Sequence, residues 1–214
     1  RPIVEALVAA LNDASTNDDV RCVIFTGAGR GFCAGADLAN GGWPREEGWT
    51  PGDVTWNSME TGYNVLGRAL VNCDKPVICA VNGIAAGAGV GLALSGDLTI
   101  AAQSASFKLV FGPQLGIIPD VGASWHVPQL VGRARANGLA LLGDTLPAEK
   151  AEQWGMIWEV VPDEQLMEAA MAYAERMAAS AITGLKAVSR AHDKAMENSL
   201  DAQLDYERDM QRHY

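Results

Sequence analysis

The chain has 214 residues, with 16 Lys+Arg against 26 Asp+Glu and a formal net charge of −10. Hydrophobic residues make up 49% and charged residues 20%, the balance of a globular protein, which excludes a disordered or collagen-like chain. The acidic balance argues against a nucleic-acid or anionic-membrane partner, since both require basic fields.

Taken in order, residues 2–15 predict an amphipathic helix, with Val4, Leu7, Val8 and Leu11 on one face and Pro2 in the first turn. The β-branched, apolar run 20–26 predicts a strand, punctuated by Gly27-Ala28-Gly29-Arg30-Gly31. Residues 39–53 form a long Gly/Pro/Trp loop, a length usually reserved for function. Residues 54–72 predict one helix, with Trp56, Met59, Tyr63, Leu66 and Leu70 at three- and four-residue steps. Then come a buried strand over 76–81, a small-residue helix over 87–95, and strands over 98–102 and 107–111. Residues 122–142 predict helix with a break at Gly132, followed by a helix over 147–154 and a strand over 157–161. From 163 to 213 the pattern is almost entirely helical. The alternation predicts an α/β core over 1–162 and a C-terminal helical region over 163–214.

The apolar stretch 77–94 is broken by Asn82 and four glycines, so it reads as a buried strand and helix rather than a bilayer span. No export signal opens the chain, and Arg1 leads straight into a helical pattern, as in a fragment or trimmed chain. Cys22, Cys33, Cys73 and Cys79 show no CxxC and no nearby His pair. They predict free thiols in a reducing cytoplasm and no metal site.

Several motifs invite a chemical reading. Gly27–Gly31 follows a strand but lacks the GxGxxG spacing and the helix start of a dinucleotide site, and no phosphate loop is present. Asp120, Ser124 and His126 lie close in sequence, yet triad members normally converge from separate segments. Two glycine-rich turns carry more information together. Residues 32–38 (FCAGADL) and 82–89 (NGIAAGAG) place small residues where backbone approaches a ligand, and the second opens a helix whose free N–H groups favour negative charge. Two such N–H groups aimed at one oxygen make an oxyanion hole. Asp120, just before a helix, reads by itself as an N-cap.

Three segments in this order, GRGFCAGADL, KPVICAVNGIAAGAGVGLALSGDL and FKLVFGPQLGIIPDVGASWHVPQLVGRARA, resemble the crotonase superfamily, the enoyl-CoA hydratase/isomerase family. PAEKAEQWGMIWEVVPDEQL fits the segment that follows in that family. The resemblance covers nearly the whole chain, although the family's first strands and a final helix have no counterpart in it. It implies a spiral of ββα turns and assembly into homotrimers or hexamers through the 163–214 region. It also implies an acyl-CoA thioester as substrate, with no separate cofactor. Ala36 and Ala88 match the two oxyanion-hole donors, and Ala34, Ala36, Asp37, Leu38, Gly87 and Ala88 match substrate-binding backbone.

The departures narrow the chemistry. The two water-activating glutamates of the hydratases would fall at Gly91 and at Phe111 or Gly112, and the only carboxylate between Lys75 and Pro119 is Asp97. Isomerases of the family, including those acting on unsaturated and epoxidised aromatic acyl-CoAs, carry a catalytic carboxylate at the position of Asp120. A dehalogenase of the family does too, but its His and Trp match Asn64 and Gly112. Asn64 is the remaining candidate for orienting substrate. Asp120 is therefore expected to act as acid/base in an acyl-CoA isomerase, with the Trp-bearing 39–53 loop as a lid. Trp43, Trp49 and Trp56 suggest an aromatic or bulky acyl group. The alternatives are a hydratase with displaced acids and a non-catalytic acyl-CoA-binding scaffold.

Overall fold

A computed structural model describes residues 2–37 and 45–213. Its centre is β3 (Val77–Val81), whose VICAV side chains are buried on both faces, as a continuous apolar run in a parallel sheet requires. It pairs in parallel with β1 (Val23–Thr26) and β5 (Leu98–Ala102), and β8 (Glu159–Val161) completes the order β1-β3-β5-β8. A second sheet has the order β2-β4-β6-β7, from Gly31–Cys33, Ile84–Ala86, Ser106–Lys108 and Thr145–Pro147, with only β7 antiparallel. From β1 to β6 consecutive strands therefore alternate between the sheets, and a helical stretch follows each of these three pairs. The chain winds as a spiral of ββα turns.

The turns of the spiral are joined by backbone and amide contacts. The Asn82 carboxamide accepts a hydrogen bond from the Gly27 N–H at 3.0 Å and donates to the Gly29 carbonyl at 3.0 Å. The 27–31 run is thus the β1–β2 connection, fastened to the β3–β4 connection, and not a nucleotide loop. A Cβ on Gly83 would stand 2.2 Å from the Arg30 carbonyl oxygen, so the two connections touch through backbone.

The helices are α1 (Pro2–Thr16), α2 (Pro51–Ser58), α3 (Asn64–Val71), α4 (Ala88–Leu94), α5 (Ala123–Val131), α6 (Arg133–Leu142), α7 (Ala148–Gln153), α8 (Leu166–Ala178), α9 (Ile182–Ala195) and α10 (Leu200–Met210). The expected single helix over 54–72 is instead α2, a π-helical turn over Met59–Tyr63, and α3. It starts early because Thr50 and Asp53 form a reciprocal capping box. The expected strand over 107–111 ends at Lys108, and a second π-helical turn occupies Phe111–Leu115. No described helix is long and apolar enough to cross a membrane. The four cysteines are free, and burial pushes the thiols of Cys79 and Cys22 up to about 12 and about 11, leaving both protonated at neutral pH.

Helix α8 covers the first sheet against β1, β3 and β5, with Leu166 and Ala170 buried. Helix α9 is tied to the core by charge. Lys186, 4% exposed, donates to both carboxylate oxygens of Asp97 at 2.9 and 3.0 Å, and Asp97 accepts the Val77 N–H at 2.8 Å. Breaking a buried pair leaves an uncompensated charge. Lys186→Met is expected to lower the unfolding free energy by about 3–5 kcal/mol in urea titration. Lys194→Ala, which breaks only the exposed pair with Glu197, should leave the same curve unchanged.

Candidate active site

A cavity of about 430 Å³ opens where β2, the start of α4 and both π-helical turns meet. One wall is backbone. Ala34, Gly35 and Ala36 follow β2, and Gly87 and Ala88 begin α4. The two segments touch: Gly35 has φ 91°, and a Cβ placed there would meet the Ala86 carbonyl oxygen at 3.3 Å. Gly87, with φ 56° and ψ −127°, turns β4 into α4, so Ala88 is the first helical residue, where the N–H has no intrahelical acceptor. Both resemblance-matched donors therefore belong to residues lining one cavity.

The opposite wall is apolar, with Met59 and Tyr63 from the first π-helical turn and Phe111 and Leu115 from the second. Sequence periodicity missed this convergence, because a π-helical turn arises from tertiary packing and leaves the apolar spacing almost unchanged. Tyr63, the last residue of that turn, lines the cavity, and Asn64 does not. Asn64, the expected substrate-orienting residue, lines a separate cavity of about 290 Å³ with Gly67, Val121 and His126. Asp37 is exposed beyond the rim, Leu38 and Trp43 lie outside the described residues, and neither Trp49 nor Trp56 lines the cavity. Arg45 stands at the rim and is the cavity's one basic lining residue among those described.

Asp120 is the only carboxylate lining the cavity among the described residues. It does not cap α5. The cap is Gly122, no side chain bonds there, and the N–H groups of Trp125 and His126 go to the Gly122 carbonyl at 2.9 and 2.8 Å. Asp120 Oδ1 is buried with no hydrogen-bond partner among the described residues. Burial pushes the carboxyl up to about 6, opposed in part by its own backbone N–H. Ser124 is exposed, and His126 lines cavities on the far side of the Asp120 turn, so the local Asp-Ser-His set forms no triad. The matched glutamate positions supply no acid: Gly91 is buried against the Val121 carbonyl, Phe111 is an apolar wall, and Gly112 abuts the Ala140 carbonyl. The geometry offers one carboxylate, two adjacent backbone donors and an apolar chamber.

The enoyl-CoA hydratase/isomerase family model matches residues 2–214. The chain belongs to the enoyl-CoA hydratase/isomerase family. It is 50% identical over 206 residues to the 1,2-epoxyphenylacetyl-CoA isomerase of Escherichia coli (strain K12), covering 96% of this chain and 77% of that protein. The structure superposes on the enoyl-CoA hydratase of Bacillus anthracis with a TM-score of 0.86 at 32% identity, covering 97% of this chain and 78% of that one. It also superposes on a monofunctional enoyl-CoA isomerase from M. smegmatis, with a TM-score of 0.76 at 31% identity and coverage of 94% and 84%. The spiral of ββα turns is thus the crotonase fold of this family.

A carboxylate held at about 6 against an ordinary 3.8 has a consequence for stability. The folded form holds the proton more tightly, so stability declines as pH rises from about 4 through about 6. Asp120→Asn is expected to be more stable than the parent by about 1–2 kcal/mol at pH 7.5, the shift being discounted because the group is only half-buried. The gain should vanish near pH 4, as read by thermal melts at both pH values.

Proposed function

We propose that this protein is an acyl-CoA isomerase that shifts a double bond, or rearranges an epoxide, next to a CoA thioester. The observation that carries the reading is Asp120: a lone, half-buried carboxylate with an unpartnered oxygen in an apolar cavity. The thioester carbonyl oxygen lies between the N–H groups of Ala36 and Ala88. For a 3-enoyl thioester, the Asp120 carboxylate takes a proton from C2. The C2–H electrons become the new C2–C3 double bond by way of a dienolate whose charge rests on the carbonyl oxygen. The former C3–C4 π electrons then take the same proton at C4, which restores the carboxylate. One group suffices for both transfers because it titrates near 6, close enough to neutral to accept and return a proton. The two donors stabilise charge that exists only in the intermediate, where a single such contact is worth about 2.7–4 kcal/mol.

The substrate is itself the CoA thioester, and no step needs a separate cofactor. The aromatic walls Tyr63 and Phe111 and the relative that acts on 1,2-epoxyphenylacetyl-CoA favour an aryl-bearing acyl group. Hydration is disfavoured, since water addition needs a second acid or base and Asp120 is the one carboxylate among the described lining residues. We further propose a homotrimer or hexamer in the cytoplasm. Ile118, Leu141 and Leu142, 80%, 70% and 69% exposed, support an assembly, and four free thiols support a reducing compartment.

The test is a panel of 3-enoyl, 2-enoyl and aryl-acetyl CoA thioesters followed by mass and ultraviolet absorbance. Isomerisation is expected, with negligible conversion of crotonyl-CoA to its 3-hydroxy product. Asp120→Asn should lower kcat by at least about 10²-fold at little change in KM. Rapid hydration, or near-parental turnover by Asp120→Asn, would contradict the reading.

A further inference from the structure

Among the described residues no other side chain or backbone group bonds the buried oxygen of Asp120, and its carboxyl meets only its own backbone N–H. The neighbouring residues therefore decide where the carboxylate points. On its N-terminal side Pro119 has a fixed φ. On its C-terminal side the Gly122 carbonyl is locked to α5 by two N–H groups, and the Asp120 carbonyl accepts the Ala123 N–H at 2.9 Å. The remaining joint is Val121. It has φ 48°, the one positive φ at a non-glycine residue among those described, and a β-branched side chain adopts that conformation only under constraint.

The constraint is visible on two sides. A Cβ on Gly91, in the middle of α4, would stand 2.1 Å from the Val121 carbonyl oxygen and 2.8 Å from its carbonyl carbon. The contact is backbone against backbone, so no rotamer change relieves it. A Cβ on Gly67 of α3 would meet Val121 Cγ1 at 3.4 Å, which places the valine side chain directly on the α3 backbone. Gly91 itself is pinned, since its carbonyl accepts the Ser95 hydroxyl at 2.7 Å inside α4.

We propose that Val121, seated between Gly67 and Gly91, is the positioning residue that aims Asp120 into the cavity, and that Gly91 is glycine because a side chain there displaces the Val121 carbonyl and Asp120 with it. The inference deepens the function proposed above and rests on Asp120 being its acid/base. It also means that placing a glutamate at position 91 does not build a hydratase here: the space for its stem is the space Val121 occupies.

The test is Gly91→Ala, with Gly138→Ala as a matched control, because a methyl group on Gly138 meets nothing within 4 Å. Two quantities are read: steady-state kinetics on a 3-enoyl-CoA, and the Asp120 titration by isotope-edited infrared of ¹³C-aspartate protein, assigned by difference against Asp120→Asn. For Gly91→Ala we expect parental circular dichroism, KM nearly unchanged, and kcat lower by about 10²-fold, the scale set by a misplacement of about 1 Å. The titration should move from about 6 toward the ordinary carboxylate range as water reaches the displaced group. Gly138→Ala should match the parent in both. If Gly91→Ala does not fold, Val121→Gly decides in its place. Glycine accepts φ 48° freely and adds no volume, and the loosened turn should give the same fall in kcat and the same shift. A folded variant with an unmoved titration overturns the proposal, whatever its kcat. A moved titration with parental kcat leaves the positioning role standing and removes Asp120 as the acid/base.

Discussion

Helix α4 consists of seven buried residues, AGVGLAL, and it meets its neighbours through backbone on two sides. Gly89 lies so close to β2 that a Cβ there would stand 2.2 Å from the Cys33 carbonyl oxygen, and Gly91 lies equally close to the Val121 carbonyl. These two approaches set the distance between the β2 segment, the start of α4 and the Asp120 turn. Were α4 to carry ordinary side chains at 89 and 91, each neighbour would retreat. The Ala36 and Ala88 backbone would part, and Asp120 would leave their cavity. The site thus depends on missing side chains, an arrangement that a densely packed interior cannot absorb elsewhere.

The same geometry explains why a carboxylate can be kept so poorly solvated. Asp120 gains no ion pair and no capping interaction, and its buried oxygen has no donor. An isolated polar group in that setting is a net cost to folding. The fold tolerates it because the surrounding contacts are independent of it: VICAV is fully buried, and Asp97 pairs with Lys186 and accepts the Val77 N–H of β3. The two carboxylates differ in their surroundings: Asp97 is fully partnered, whereas the buried oxygen of Asp120 has no partner among the described residues.

Much of the fold was legible in the sequence where apolar runs are long. β3, β5, α1 and the helices either side of Gly132 lie within a few residues of the expected bounds. The strands β2, β4 and β7 were not, because three residues cannot display a period. Both π-helical turns were invisible for a related reason, and with them the cavity's aromatic wall. Asp120 is the most instructive residue. Local rules made it an N-cap, and only the family resemblance pointed to chemistry. The structure distinguishes the two by a backbone detail, the φ of 79° at Gly122 that takes over the capping position. The motif Gly87-Ala88-Gly89 was legible as a close-approach turn, although what it approaches, the Cys33 carbonyl and the Gly35 backbone, was not.

The central claim is that one carboxylate carries one proton between two carbons while water stays out. Turnover of a 3-enoyl-CoA thioester in D₂O containing H₂¹⁸O, quenched early and read by mass spectrometry, tests it directly. The account predicts a 2-enoyl product with no ¹⁸O and with a substantial fraction of molecules free of deuterium, because Asp120 returns the proton it took before exchanging it with solvent. A product that contains ¹⁸O, or one deuterium in every molecule from the first turnover, would contradict it.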